Sequence, residues 1–212
     1  MLQFIRNYGT LTCFLLLIAL FWVLLPDTFM TGRNLFNITQ QVSMLAVTAF
    51  AMTIVMAMGD YDLSVGSMAS LAGIVAAVGF RVTGSPEAAL ALALLAGVAG
   101  GALNGFLVAY VGILPFVATL GTLTVLSGLA FLLAGGKTIF GSDIPASFGA
   151  FARGGIELWQ SGETAVVVPH LTIVAAVTLL AVWFILQKMV FGRHLYAMGG
   201  SSEAARLAGV DV

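Results

Sequence analysis

Long uninterrupted apolar blocks alternate with short polar links along this chain. Blocks at 10–26, 42–59, 63–80, 88–110, 114–134 and 167–187 are each continuous rather than periodic. They approach the roughly 20 apolar residues that cross a bilayer's hydrocarbon core. The pattern predicts an all-α fold: a polytopic transmembrane helix bundle of about six spanning helices. Two links are very short, Asp60-Tyr61-Asp62 and Val111-Gly112-Ile113. Such links make neighbouring helices antiparallel, or mark one helix broken inside the protein. The stretch 135–165 is long and rich in Gly and Ser. A connection of that length is expected to be functional, and the other reading is a variable surface loop.

Composition narrows the class. Of 212 residues, 60% are hydrophobic and 8% charged, and mean hydropathy is +1.09. Soluble domains carry about 25% charged residues, so a water-soluble fold could not cover its surface. A net charge of −1 gives no basic face for nucleic acid. The single cysteine, Cys13, sits in the first block and reads as a small packing residue. Arg6 and the apolar run after it resemble a signal peptide, but the run ends Leu25-Pro26-Asp27-Thr28 with no small-x-small site. It is read as a retained first helix. With an even helix count, Arg6, Lys188, Arg193 and Arg206 share one side and Arg33, Arg81, Lys137 and Arg153 the other. Basic residues therefore do not decide the orientation.

Four constellations carry information. Gly97, Gly101 and Gly105 recur every four residues, with Gly100 and Asn104 beside them. Glycines at that spacing share a helix face and let another backbone approach, so they are helix-packing candidates. Asn104 is either an interhelical hydrogen-bonding group or a path-lining one. Gly59, Asp60, Asp62, Ser64 and Gly66 form the densest polar cluster, a candidate helix break or gate. Asp62 or Ser64 can cap the helix that follows, which explains one carboxylate and leaves the second without a reason. Pro115 suits a first helical turn. Thr119 and Thr122 share a face, where they either line a polar path or bond their own helix. Gly136-Lys137-Thr138 imitates the end of a phosphate loop, but Phe131 stands where its first glycine belongs.

Beyond the last block, residues 188–212 are mixed and polar. Ser201 or Ser202 can cap a short helix, with Glu203 in its first turn, Arg206 in its last, and Gly209 ending it left-handed. A short amphipathic helix outside the membrane suits docking into a partner's groove; the alternative is a surface linker.

Together these segments resemble the sugar-type permeases of ABC importers, the ribose-permease-like group. The resemblance rests on Gly-x-x-Asp-Leu-Ser-Val-Gly-Ser at 59–67, Pro-Phe-x-x-Thr-Leu-Gly-Thr at 115–122, and Gly-Arg-x-x-Tyr-Ala-x-Gly-Gly leading into Glu-Ala-Ala-Arg-Leu-x-Gly at 192–209. It covers essentially the whole chain. Asp60 and Tyr61 depart from the group's Gly and Ile, Ser127 from its Arg, and Ser201 from its Asn. The group's chains continue with further helices, so this sequence is expected to be part of a longer protein.

The resemblance implies a permease carrying a monosaccharide delivered by a periplasmic binding protein. It implies a cytoplasmic ABC ATPase, a second permease copy in a homodimer or heterodimer, and multi-pass residence in the bacterial inner membrane with cytoplasmic termini. Residues 1–190 would be the bundle, with 135–165 periplasmic, and 191–212 a cytoplasmic coupling segment. Gly192, Arg193, Gly199, Gly200, Glu203, Ala204, Ala205, Arg206 and Gly209 would meet the ATPase. No cofactor, metal or covalent catalysis is implied, so the chain is not expected to be an enzyme. Relatives also carry nucleosides, furanosyl signalling molecules or branched-chain amino acids. An ion-coupled secondary transporter is the alternative outside the group, although the helix interiors lack the charges such coupling uses. An intramembrane hydrolase built on Ser67 and His170 lacks an oxyanion-hole motif.

Overall fold

The computed structural model describes residues 2–139, 144, 149–161 and 164–211, with side chains from 8 to 158 and from 167 to 211 within those limits. Arg6, Val212 and much of the 135–165 stretch therefore lie outside the described side chains. The helices are α1 (Leu2–Leu24), α2 (Pro26–Phe29), α3 (Gly32–Ala57), α4 (Val65–Thr83), α5 (Pro86–Ala109), α6 (Pro115–Leu133), α7 (Ala150–Arg153), α8 (His170–Lys188), α9 (Val190–Gly200) and α10 (Ser202–Leu207). Strands β1 (Gly155–Ser161) and β2 (Thr164–Pro169) precede α8.

Among the described residues, α3, α4, α5, α6 and α8 are long and apolar enough to cross a membrane. The sixth expected span lies in α1, 23 residues long, whose described side chains over Tyr8–Leu24 form an apolar run. Among the described residues the fold is all-α apart from one antiparallel hairpin, in which Gly155 faces Pro169 and Ser161 faces Thr164.

Three elements differ from the expectation, each for a local reason. Helix α3 begins at Gly32, ten residues before its apolar block, because Thr31 caps it by accepting from Asn34 N–H at 3.3 Å. Its first turns carry Arg33, Asn34, Asn37, Gln40 and Gln41, which hydropathy alone reads as a link. The last block begins as a helix at His170 rather than 167, since Val166, Val167 and Val168 favour strand and Pro169 disfavours helix at the residue before it. Residues 190–200 form a helix where no regular element was expected; Leu195 is buried and Met198 half-buried, and both seat it.

The helices divide into two packed groups. In one, α4 lies between α5 and α6. Leu71, Leu126 and Ala130 form its core with Met68, Ile74 and Val75 against them. Antiparallel α4 and α5 meet at Gly79, where an added Cβ would lie 2.9 Å from Leu92 Cδ1. In the other group, α3 runs parallel to α8. Ser43 Oγ lies 2.9 Å from Thr172 Oγ1 near one end, and Phe50 and Ile54 pack on Val182 and Leu186 near the other. Gln40 Nε2 also donates to the Ala152 carbonyl beside the hairpin. The short link 58–64 thus does not fold α3 and α4 into a tight hairpin: α3 packs on α8, β2 and α9, while α4 packs on α5 and α6.

Candidate functional site

The link between α3 and α4 is hydrogen-bonded almost throughout. Helix α3 ends in a left-handed glycine cap: Gly59 has φ +89°, its N–H donates to the Met56 carbonyl at 3.0 Å, and Asp60 N–H donates to the Val55 carbonyl at 3.4 Å. Two residues later Asp62 Oδ1 accepts from Ser64 N–H at 2.7 Å and Ser64 Oγ–H at 2.6 Å. Asp62 therefore organises the entry to α4 through Ser64, the helix's N-cap residue.

Ser64 joins this link to α5. Its hydroxyl proton goes to Asp62, so its oxygen is left to accept, and Asn104 Nδ2 donates to it at 2.8 Å. Asn104 Nδ2 also lies 3.5 Å from Asp62 Oδ2. This fixes the Asn104 amide, because turning it over would set its oxygen against a hydroxyl with no proton to give. Asn104 Oδ1 is then buried with no hydrogen-bond partner. Ser67, also buried, donates to the Ser64 carbonyl at 2.7 Å. It extends the cluster, whereas the sequence offered it only as the end of the 59–67 motif and as the nucleophile of a hydrolase.

The second carboxylate behaves differently. Asp60 makes no such bonds, and burial pushes its carboxyl above the usual range. A raised folded-state pKa favours the protonated form, so any benefit is present below the unfolded value and lost as pH rises through the folded one. Asp60→Asn is therefore expected to raise the melting temperature slightly at pH 7 and to leave it unchanged near pH 3. A lower melting temperature at pH 7 would show that the Asp60 carboxylate has a partner.

Thr119 and Thr122 are buried on α6, but both hydroxyls turn to their own helix: Thr119 donates to the Pro115 carbonyl at 2.8 Å and Thr122 to the Thr119 carbonyl at 3.2 Å. Gly100 on α5 and Leu126 on α6 face each other near Met68. One turn nearer the 110–114 link stand Asn104 and Thr122. Ser64, Ser67, Asn104, Thr119 and Thr122 thus form a buried polar layer at one end of the α4–α6 group. Thr122 also borders a mainly apolar groove lined by Leu103, Leu107, Val117 and Val125.

The glycine face expected to pack does not do so within the described residues. An added Cβ at Gly97, Gly101 or Gly105 meets nothing within 4 Å, and the same is true of Gly66. The close approach is at Gly100, where a Cβ would collide with Met68 Cε.

At the other end of the chain, α9 turns back on α8 through Met189. Gly192 is buried there, and Leu195 packs on Val182 and Leu186. Its last turn reaches the end of α3: a Cβ on Gly59 would lie 3.4 Å from Gly199 Cα, and one on Gly199 would collide with the Ala57 carbonyl oxygen. Ser201 then caps α10 by accepting from Ala204 N–H at 3.2 Å, and Gly209 closes it with φ +85°. Ala205 is buried, whereas Arg193, Glu203, Arg206 and Leu207 are exposed beside open Gly200. His170 stacks on Phe151 at 4.9 Å and bonds its carbonyl at the start of α8. It belongs to the α7 contact, and no contact joins it to Ser67.

Comparison with known proteins adds the following. A family model described as "Branched-chain amino acid transport system / permease component" matches residues 34–212. The ribose import permease protein of Escherichia coli (strain K12) is 37% identical over 205 residues, covering 96% of this chain and 61% of that protein. The L-arabinose ABC transporter permease protein of Azospirillum brasilense is 32% identical over 99% of this chain and 58% of its own length. The D-allose transport system permease protein of Escherichia coli (strain K12) is 30% identical, with 97% and 60% covered. The chain thus spans about three-fifths of the length of these relatives. No solved structure matches it.

Proposed function

Because this chain belongs to the branched-chain amino acid transport system / permease component family, we propose that it is the membrane-spanning permease subunit of an ABC importer for a monosaccharide. Similarity to permeases named for ribose, arabinose and allose supports the sugar. The observation that carries the coupling part of the reading is the α9–α10 segment. It is seated on α3 and α8 by one face and presents Arg193, Glu203, Arg206 and Leu207 on the other. A short helix with a buried inner face and an exposed, mixed outer face suits a partner's groove.

On this reading the outer face meets a cytoplasmic ABC ATPase, which places the α9 end and both termini in the cytoplasm. Residues 1–190 are the bundle and 191–212 the coupling segment. The hairpin end and the rest of 135–165 face the periplasm and a sugar-binding protein. A second permease copy completes the path, and the open Gly97–Gly101–Gly105 face is available to a helix beyond the described ones. Asn104, Thr119 and Thr122 are the path-lining residues, belonging to a buried polar layer in an otherwise apolar group. No residue performs covalent chemistry. The permease offers two conformations of different affinity, and the ATPase sets their populations.

Purification of the native protein by an N-terminal tag, followed by mass spectrometry of what accompanies it, tests this. An ABC ATPase is expected to co-purify. Its absence, under conditions that keep a known importer together, would remove the coupling reading. It would turn attention to a transporter driven by an ion gradient.

A further inference from the structure

We propose that the backbone contact of Gly199 with Ala57 and Met58, at the end of α3 beside Gly59, is a positioning contact: it ties the α9–α10 segment to the Asp62–Ser64–Asn104 cluster, so that displacing the segment opens the cluster. What the movement serves rests on the permease reading; the mechanical link does not.

Gly199 lies in the last turn of a helix, where glycine is less favourable than alanine and needs a reason. The reason is the Ala57 carbonyl oxygen, into which any Cβ would run. The Met58 carbonyl carbon would also lie 3.2 Å from that Cβ, and beyond it stands Gly59, with φ +89°, where an added Cβ would lie 3.4 Å from Gly199 Cα. Two backbones meet with no side chain to yield between them. Neighbouring Gly200 has open space in place of such a contact.

From Gly59 a shift has little slack to be lost in. The Val55–Asp60 and Met56–Gly59 hydrogen bonds close the end of α3, and the Asp62–Ser64 bonds open α4. Only Tyr61 stands between the two bonded ends. Asp62 holds the Ser64 hydroxyl, and Ser64 holds Asn104 of α5. The cluster is also incompletely satisfied, because Asn104 Oδ1 is buried without a partner. A small separation of α4 from α5 would admit water to that oxygen, which offsets part of the cost of opening.

The test is cysteine labelling of the purified full chain with a maleimide, in a Cys13→Ser background since Cys13 is exposed. Ser67→Cys reports the cluster, because Ser67 is 8% exposed. Gly199→Ala is expected to raise its labelling rate about tenfold by shifting the population of the open form. Gly200→Ala should leave the rate unchanged, as should Gly199→Ala at a distant reporter, Ala175→Cys on α8.

Coupling is reciprocal. Asp62→Asn, with Gly199 intact, should therefore raise labelling of Leu195→Cys on α9. This arm stands even if Gly199→Ala fails to fold. An unchanged Ser67→Cys rate in a folded Gly199→Ala protein overturns the proposal. So does an equal rise at Ala175→Cys, or no response of Leu195→Cys to Asp62→Asn. No ATPase is needed for any of these readouts. Positive labelling with no co-purifying ATPase would uphold the link and remove the importer reading.

Discussion

Gly192→Ala is expected to destabilise the detergent-solubilised protein by about 1–3 kcal/mol, the range for forcing atoms into a well-packed site. Gly192 is buried where α9 doubles back on α8, and an added Cβ would collide with the carbonyl oxygens of Ile185 and Leu186 and lie 2.5 Å from Leu186 Cα. All three obstacles are backbone, so no rotamer change relieves them. Alanine's helix propensity favours the substitution by about 1 kcal/mol, which does not offset a displaced turn. The relief available is for α9 to lift from Val182 and Leu186, taking α10 with it. A lower melting temperature and weaker ATPase co-purification should appear together, while Gly200→Ala, with free space around it, should leave the melting temperature unchanged. An unchanged melting temperature would mean that the turn at Met189 has room to open without unseating Leu195.

Ser64→Ala should cost more than Asn104→Leu, although the two residues share one hydrogen bond. Ser64 is 1% exposed and its oxygen is the close partner of the Asn104 amide. Removing that hydroxyl leaves the amide's nitrogen with only the long 3.5 Å approach to Asp62, beside an oxygen already unpaired. A buried polar group stripped of its partner costs about 1–3 kcal/mol. Asn104→Leu instead deletes the unpaired oxygen and its nitrogen together, and the Ser64 hydroxyl keeps its bond to Asp62. The Ser64 oxygen loses one donor, but the penalty of the unpaired Asn104 oxygen goes as well, so the net cost is the smaller of the two. Thermal unfolding of both variants gives the order. Equal losses would show that Asn104 Oδ1 has a donor in the protein. Uptake adds a second axis: an Asn104→Leu protein that is stable but slow in transport would place Asn104 on the path.

Solvent and most spanning elements were legible in the residue pattern alone. Continuous apolar blocks locate α4, α5, α6 and α8, because a membrane demands runs of that length and that freedom from charge. Local chemistry placed several ends as well: Pro115 opens α6, Ser201 caps α10, and Gly209 ends it left-handed. Where an element was carried by something other than hydropathy it stayed hidden, as with the polar first turns of α3, the valine-rich β2 and the short α9.

Which faces meet emerged from the packing of the helices. In water, a helix's buried stripe differs in polarity from its exposed one, and the sequence displays the difference. In a bilayer both faces are apolar, so α5 and α6 carry no such signal, and small residues mark several faces at once. The regular Gly97–Gly101–Gly105 row and lone Gly100 could not be ranked from spacing, yet it is Gly100 that α4 packs on. For the same reason the seating of Gly199 against Ala57 and Met58 at the end of α3 and the joining of Ser64 to Asn104 follow from packing across helices. Each residue announced its chemistry, and none announced its partner.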